Sequence, residues 1–182
     1  MKQTVFINMS GQTRLGYTAI ELLVVVSIIA LLSGLSLAYY NNFTQQKILE
    51  NETRKLIDTF EAARSKASAG DKGSCTDFYG TVVKLGKAGT SDNGTNQTTD
   101  YFSLSACCNT TCDNSSFFYR SNFPQNIVFA SPSNNTLIKF SPLNRGVDIT
   151  PQIIVKDTVS NQCRQITISQ AGTINEQKVN CP

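Results

Sequence analysis

An uncharged apolar run extends from Leu22 to Tyr40, interrupted only by Ser27, Ser33, Gly34 and Ser36, and a single carboxylate, Glu21, stands directly before it. No other feature restricts the fold as strongly. Nineteen residues at ~1.5 Å rise give about 28 Å of helix, close to the ~30 Å thickness of bilayer hydrocarbon. A membrane segment is therefore expected. Two plain readings are a single-span anchor and a secretory signal peptide, and Ser36-Leu37-Ala38 suits the small-x-small cleavage pattern of the latter. The run is long for a signal core of ~7–15 residues, however, and it continues past Ala38 into a helical pattern.

Glu21 separates these readings. A carboxylate drawn to the bilayer centre costs on the order of 2.5–3.5 kcal/mol, a burden that serves neither a plain anchor nor a signal. Cutting between Gly16 and Tyr17 would place a new α-amino group near Glu21, in its own chain or in a neighbouring one. In a bundle of such helices the amine–carboxylate pair offsets the burial cost and fixes axial register.

The stretch Arg14-Leu15-Gly16-Tyr17-Thr18-Ala19-Ile20-Glu21-Leu22-Leu23-Val24-Val25-Val26-Ser27-Ile28-Ile29-Ala30-Leu31-Leu32 resembles the class III signal of type IV pilins and pseudopilins. The resemblance implies that a prepilin peptidase cuts after Gly16 and N-methylates Tyr17. It also implies that Glu21, fifth from the cut, sets assembly. The implied partners are that peptidase, other pilin or pseudopilin subunits and the inner-membrane platform of an assembly machine. The implied location is single-pass in the cytoplasmic membrane with the head outside the cytoplasm, and later an extracellular or envelope-spanning filament. Two departures stand out: Tyr17 replaces the usual phenylalanine or methionine, and no proline precedes Pro124, so no helix kink is expected. Ala30, Gly34 and Ala38 form a small-residue stripe that suits close helix packing, although small residues are common in such helices anyway.

Beyond Tyr40, Phe43, Leu49, Leu56, Ile57, Phe60, Ala63 and Ala67 recur mostly at three- and four-residue steps between charged residues, the pattern of an amphipathic helix that Gly70 stops. Candidate strands follow at Thr81–Leu85, Tyr101–Leu104, Phe117–Tyr119, Ile127–Ala130, Leu137–Phe140, Gln152–Lys156, Arg164–Ser169 and Ile174–Val179, with a turn-rich stretch at 86–100. The expected fold class is α+β: one long N-terminal helix, membrane half plus packed amphipathic half, against an antiparallel β-rich globular head. The expected division is a leader over 1–16, a transmembrane assembly helix over 17–40, an amphipathic helix over 41–70 and the head over 71–182. The segment Phe60–Ala67 and the closing strand–Gly172–strand arrangement are similar to GspH/FimT-type minor pseudopilins and minor pilins.

The six cysteines, Cys75, Cys107, Cys108, Cys112, Cys163 and Cys181, suit disulfides in an oxidising compartment. Cys163 and Cys181 lie nine residues either side of Gly172, so a hairpin at 170–173 would set them face to face. Closing that loop stabilises by roughly 3 kcal/mol in the chain-entropy model. Cys75 would then reach one member of the Cys107, Cys108, Cys112 cluster. A zinc site from these four thiolates lacks the Cys-x-x-Cys knuckles that structural zinc favours, and no metal is expected.

Histidine is absent, which removes Ser-His, Cys-His and His-metal chemistry. No catalytic constellation stands out, no phosphate-cradling loop is present, and neither an enzyme nor a cofactor is expected. Net charge is +3, about +1 once Lys2 and Arg14 are removed with the leader, which gives no strongly nucleic-acid-binding surface. The expected function is a structural subunit, a minor pilin or pseudopilin of a type IV pilus or type II secretion-like filament. The alternative is a tip pilin that grips DNA or a surface. Some FimT-like pilins bind DNA through a Gly-Arg-x-Arg motif, but the comparable stretch here reads Ala171-Gly172-Thr173-Ile174-Asn175. Only Arg164, Lys156 and Lys178 remain as a weak basic patch. Sequons at Asn93, Asn96, Asn109 and Asn114 are largely compositional.

Overall fold

The computed structural model describes residues 16–182, apart from Asn114, Asn144 and Arg145 and the side chains of residues 35–39, 41 and 42. Helical backbone covers Ala19–Ala69 (α1). Its residues belong to two compact units that part between Asn41 and Asn42. Apart from Tyr40, the side chains described on it fall in two short helical segments, 19–34 and 43–69.

This corrects the expected fold class and the expected location. The helical backbone of α1 does not make one element with a membrane half and a packed half: its residues divide between two compact units, and among the described residues no helix is long and apolar enough to cross a membrane. The physical reason is length and partnering. The described apolar stretch 19–34 accounts for about 24 Å at ~1.5 Å per residue, short of the ~30 Å of hydrocarbon. Every described side chain from 16 to 34 is exposed, so no packing supports this segment. The single-pass inner-membrane placement accordingly falls away.

The second unit is the antiparallel β-rich body. Its helical segment buries Leu49, Leu56, Phe60, Ala63 and Ala67, while Ile57 is partly buried against them and Phe43 is exposed. The segment ends where Gly70 takes φ +70°, with Gly70 N–H on the Ala67 carbonyl (3.3 Å) and Asp71 N–H on that of Lys66 (3.0 Å). That is a Schellman cap, in which glycine avoids the Cβ penalty of the left-handed conformation. Lys66 also pairs with Asp71 and lies over the Phe118 ring.

The strands are β1 (Gly80–Gly86), β2 (Ser91–Asp92), β3 (Thr95–Asn96), β4 (Tyr101–Cys107), β5 (Ser115–Asn122), β6 (Ile127–Ser131), β7 (Thr136–Phe140), β8 (Gln152–Asp157), β9 (Gln162–Ile168) and β10 (Ile174–Val179). One sheet has the order β5-β4-β1-β7 and the other β10-β9-β8-β6; β2 and β3 form a separate small hairpin. The pairings within the two sheets are antiparallel. Alternation aims Val83, Leu85, Phe102, Leu104, Ile138 and Phe140 of the first sheet into the same core as Ile127, Phe129, Ile153, Val155, Ile166 and Ile168 of the second. Phe123 joins the two sheets, its ring 5.4 Å from that of Phe102 and 4.9 Å from that of Phe129. Truncating such core side chains to alanine costs roughly 2–5 kcal/mol each.

β4 is buried along its whole length, on both faces. Of its odd-numbered residues, Tyr101 lies against Gly86 and Thr90, and Ser103 and Ser105 share a cleft with Asp92 and Asn93, all of the 86–100 stretch. There the expected loop contains the β2–β3 hairpin, turned by Asn93 and Gly94 at φ +45° and +76°. Asn-Gly is the favoured pair for such a turn.

Three disulfides are present: Cys75–Cys108, Cys107–Cys112 and Cys163–Cys181. The last is the preferred pair, but not in the expected register. Cys163 faces Val179 across the ladder, and Cys181 lies two residues beyond the end of β10, with Cα atoms 5.2 Å apart. The turn spans 169–173 and is centred on Ala171, because Ser169 N–H bonds the Thr173 carbonyl (2.9 Å) while Gly172 takes φ +80°. A pivot one residue earlier than Gly172 shifts every facing pair by two.

Candidate functional site

Thr18-Ala19-Ile20-Glu21 is a Thr-x-x-Glu sequence at the first turn of the helix, and its geometry is that of a capping box. Glu21 N–H donates to Thr18 Oγ1 (3.3 Å), while Glu21 Oε2 accepts from Thr18 N–H and Thr18 Oγ1, both at 2.9 Å. These bonds satisfy backbone donors that the helix itself leaves unpaired. The sequence reading assigned Glu21 to assembly and missed this local role, although the Thr-x-x-Glu spacing carries the signal. Only one oxygen is used. Oε1 has no partner among the described residues and remains open to a cation.

Gly16 and Tyr17 precede the helix and are exposed, Tyr17 at 84%. Behind Glu21, nine large apolar side chains from Leu22 to Leu32 are exposed as well, with Leu31 at 72%. A Cβ built on Gly34 would meet nothing within 4 Å, and Ala30 is likewise exposed. The side chain of Ala38, and Arg14 and Leu15 of the signal, lie outside the described residues. The arrangement offers an apolar surface with one acidic oxygen four residues from Tyr17. In isolation it has no chemistry beyond recognition.

In the body, the three cations of the weak basic patch are not brought together. Arg164 donates to Glu176 Oε1 at 2.6 Å and lies 3.8 Å from Glu50. Lys178 pairs with Arg164 across the ladder, whereas Lys156 pairs with Cys163 and points to the opposite face. The four clustered cysteines are all bonded in pairs, and among the described residues no group of acidic or cysteine side chains could hold a metal ion. Asn114 lies outside the described residues.

No protein family, curated protein or solved structure matches the chain.

Proposed function

We propose that the chain is a pilin-like filament subunit, a minor pilin or pseudopilin, cut after Gly16 by a prepilin peptidase and N-methylated on Tyr17. One observation carries this reading: the exposed apolar segment behind Tyr17 with the open Oε1 of Glu21 at its start. Contiguous exposed apolar surface of this kind marks an interaction site. Fully burying each of its Val, Leu and Ile side chains between copies stabilises by roughly 1.5–3 kcal/mol, which is ample to drive assembly. The α-amino group of a neighbouring Tyr17 is the cation that suits the free carboxylate oxygen, and pairing them sets the register.

The test is to produce the full chain together with a prepilin peptidase and to determine the mass of its N-terminal peptide. The expected N-terminus is N-methyl-Tyr17; an uncut chain, or one beginning at Tyr39, refutes the reading. Glu21→Ala is expected to be cut normally and to fail in methylation or in filament incorporation. Unchanged incorporation counts against the register role. Glu21→Gln keeps the capping geometry in large part, so its failure separates the charge from the cap.

A further inference from the structure

The outer face of the first sheet carries a cleft of about 530 Å³, a size typical of small-molecule sites. Its floor is β4 and β1. Ser103 and Ser105 stand there side by side, only 2% and 9% exposed, and neither hydroxyl has a hydrogen-bond partner among the described residues. Both line the cleft, and no protein group among the described residues takes either hydroxyl, so both are available to a guest.

The walls are fixed before any ligand arrives. On one side Asp92 is gripped by Lys84 (3.1 Å) and Arg120 (3.4 Å), which pins the β2–β3 hairpin across the sheet. Asn122 Nδ2 bonds Gln97 Oε1 at 2.9 Å and holds the same hairpin from its far end. On the other side Cys107–Cys112 and Cys75–Cys108 tie down the loop that presents Asp113, and Lys139 bonds the Thr110 carbonyl at 3.0 Å. Asn135 closes the third side. Its Oδ1 accepts Lys87 N–H (2.9 Å), which leaves its NH₂ for a guest. Preformed walls lower the ordering cost of binding.

The lining selects the ligand class. Hydroxyls of Ser103 and Ser105, amides of Asn93 and Asn135 and the carboxylate of Asp113 offer donors and acceptors in several directions, while Val82 and Leu137 give apolar contact. An anion is disfavoured, because Lys84 and Arg120 are engaged by Asp92, and Asp113 has no cation partner among the described residues. We propose that this cleft binds a small neutral saccharide of one or two rings, whose hydroxyls meet the serines, amides and carboxylate while a C–H face rests on Val82 and Leu137. This inference does not depend on the filament reading.

The full-length, oxidised chain is titrated calorimetrically with glucose, galactose, mannose, N-acetylglucosamine, maltose, lactose and cellobiose, and separately with inorganic phosphate. At least one sugar is expected to bind saturably. Ser103→Ala and Ser105→Ala are each expected to weaken it roughly five-fold, the loss of one hydrogen bond. Ser105→Phe is expected to abolish binding by filling the cleft, and Ser65→Ala, on the exposed helix face, to leave it unchanged. Thermal melting of the alanine variants is the control for folding. The proposal is overturned if no sugar binds up to roughly 10 mM, ten times the scale of weak millimolar affinity. It is equally overturned if binding survives both alanines, or if phosphate takes the site instead.

Discussion

Asp100 stands just before β4, 3% exposed, and its carboxylate gathers three donors, two from the connection that follows β1 and one from β6 of the second sheet. Oδ1 accepts Ala88 N–H (2.9 Å), and Oδ2 accepts both Phe129 N–H (2.8 Å) and Lys87 Nζ (2.8 Å). Lys87 also reaches the Phe129 carbonyl at 2.7 Å. The first sheet's β1–β4 connection is thus bonded to β6 of the second sheet through one side chain. Asp100→Ala leaves two backbone N–H groups without acceptors, at about 1–3 kcal/mol each, and strips a half-buried ammonium of its counter-charge. Taken together, and allowing for relaxation, the loss is about 3–5 kcal/mol. Urea unfolding of the oxidised chain followed by circular dichroism reads this directly. At a slope of about 2 kcal/mol per molar for a body of this size, the midpoint falls by about 2 M. Lys87→Met is the decisive comparison: it removes the cation but leaves both backbone bonds, so it should cost only about 1–2 kcal/mol. A midpoint for Asp100→Ala within roughly 0.3 M of the parent refutes the reasoning, as does Lys87→Met proving the more damaging of the two.

The disulfides should differ in value according to the loops they close, with sequence separations of 33, 18 and 5 for Cys75–Cys108, Cys163–Cys181 and Cys107–Cys112. Paired serine replacements are expected to cost about 4, 3 and 2 kcal/mol in that order, measured by the same unfolding; a reversed order refutes the loop-entropy account. Glu50 gives a pH signature. Its hydrogen bond and charge contact with Lys47, helped by Arg164 and Arg54, hold its carboxyl below the ordinary 4.5. A lowered folded-state value means stability that is present above 4.5 and lost as pH falls through the folded value. Glu50→Gln should therefore lower the urea midpoint at neutral pH, and the gap should close in acid. A gap that stays constant down to about pH 3 contradicts this.

The strands were legible in the sequence because each is a short run of β-branched and aromatic residues between turn residues. Thr81–Leu85 lies within β1, Phe117–Tyr119 within β5, and Ile174–Val179 is β10 itself. The stripe also reads true at Leu49, Leu56, Phe60, Ala63 and Ala67, but Glu52, Thr53 and Thr59 are buried beside them, Ile57 is only partly buried, and Phe43 is exposed, standing before the first packed turn. The joining of residues 17–40 and 41–70 into one helix did not follow. An apolar run reports what a segment avoids, not what it packs against, and the large apolar side chains from Ile20 to Leu32 are exposed. Register was equally out of reach at Cys163 and Cys181, where a one-residue change in the centre of the turn moves the facing pair by two. The cleft was hidden for another reason. Ser103 and Ser105 are ordinary residues of a strand, and only the covering hairpin and the bonded loop turn them into a floor.

The Cys163–Cys181 bridge also determines how the body would carry load. A pull applied beyond Cys181 enters the structure at Cys163 and bypasses the β10 ladder, so β10 cannot be unzipped one hydrogen bond at a time from its end. The force falls instead on β9, which is bonded on both sides, to β8 and to β10. Yielding there requires several bonds of two ladders to break together in shear, a much higher barrier than peeling an edge strand. The covalent link thus converts the weakest strand of the second sheet into a mechanical bystander.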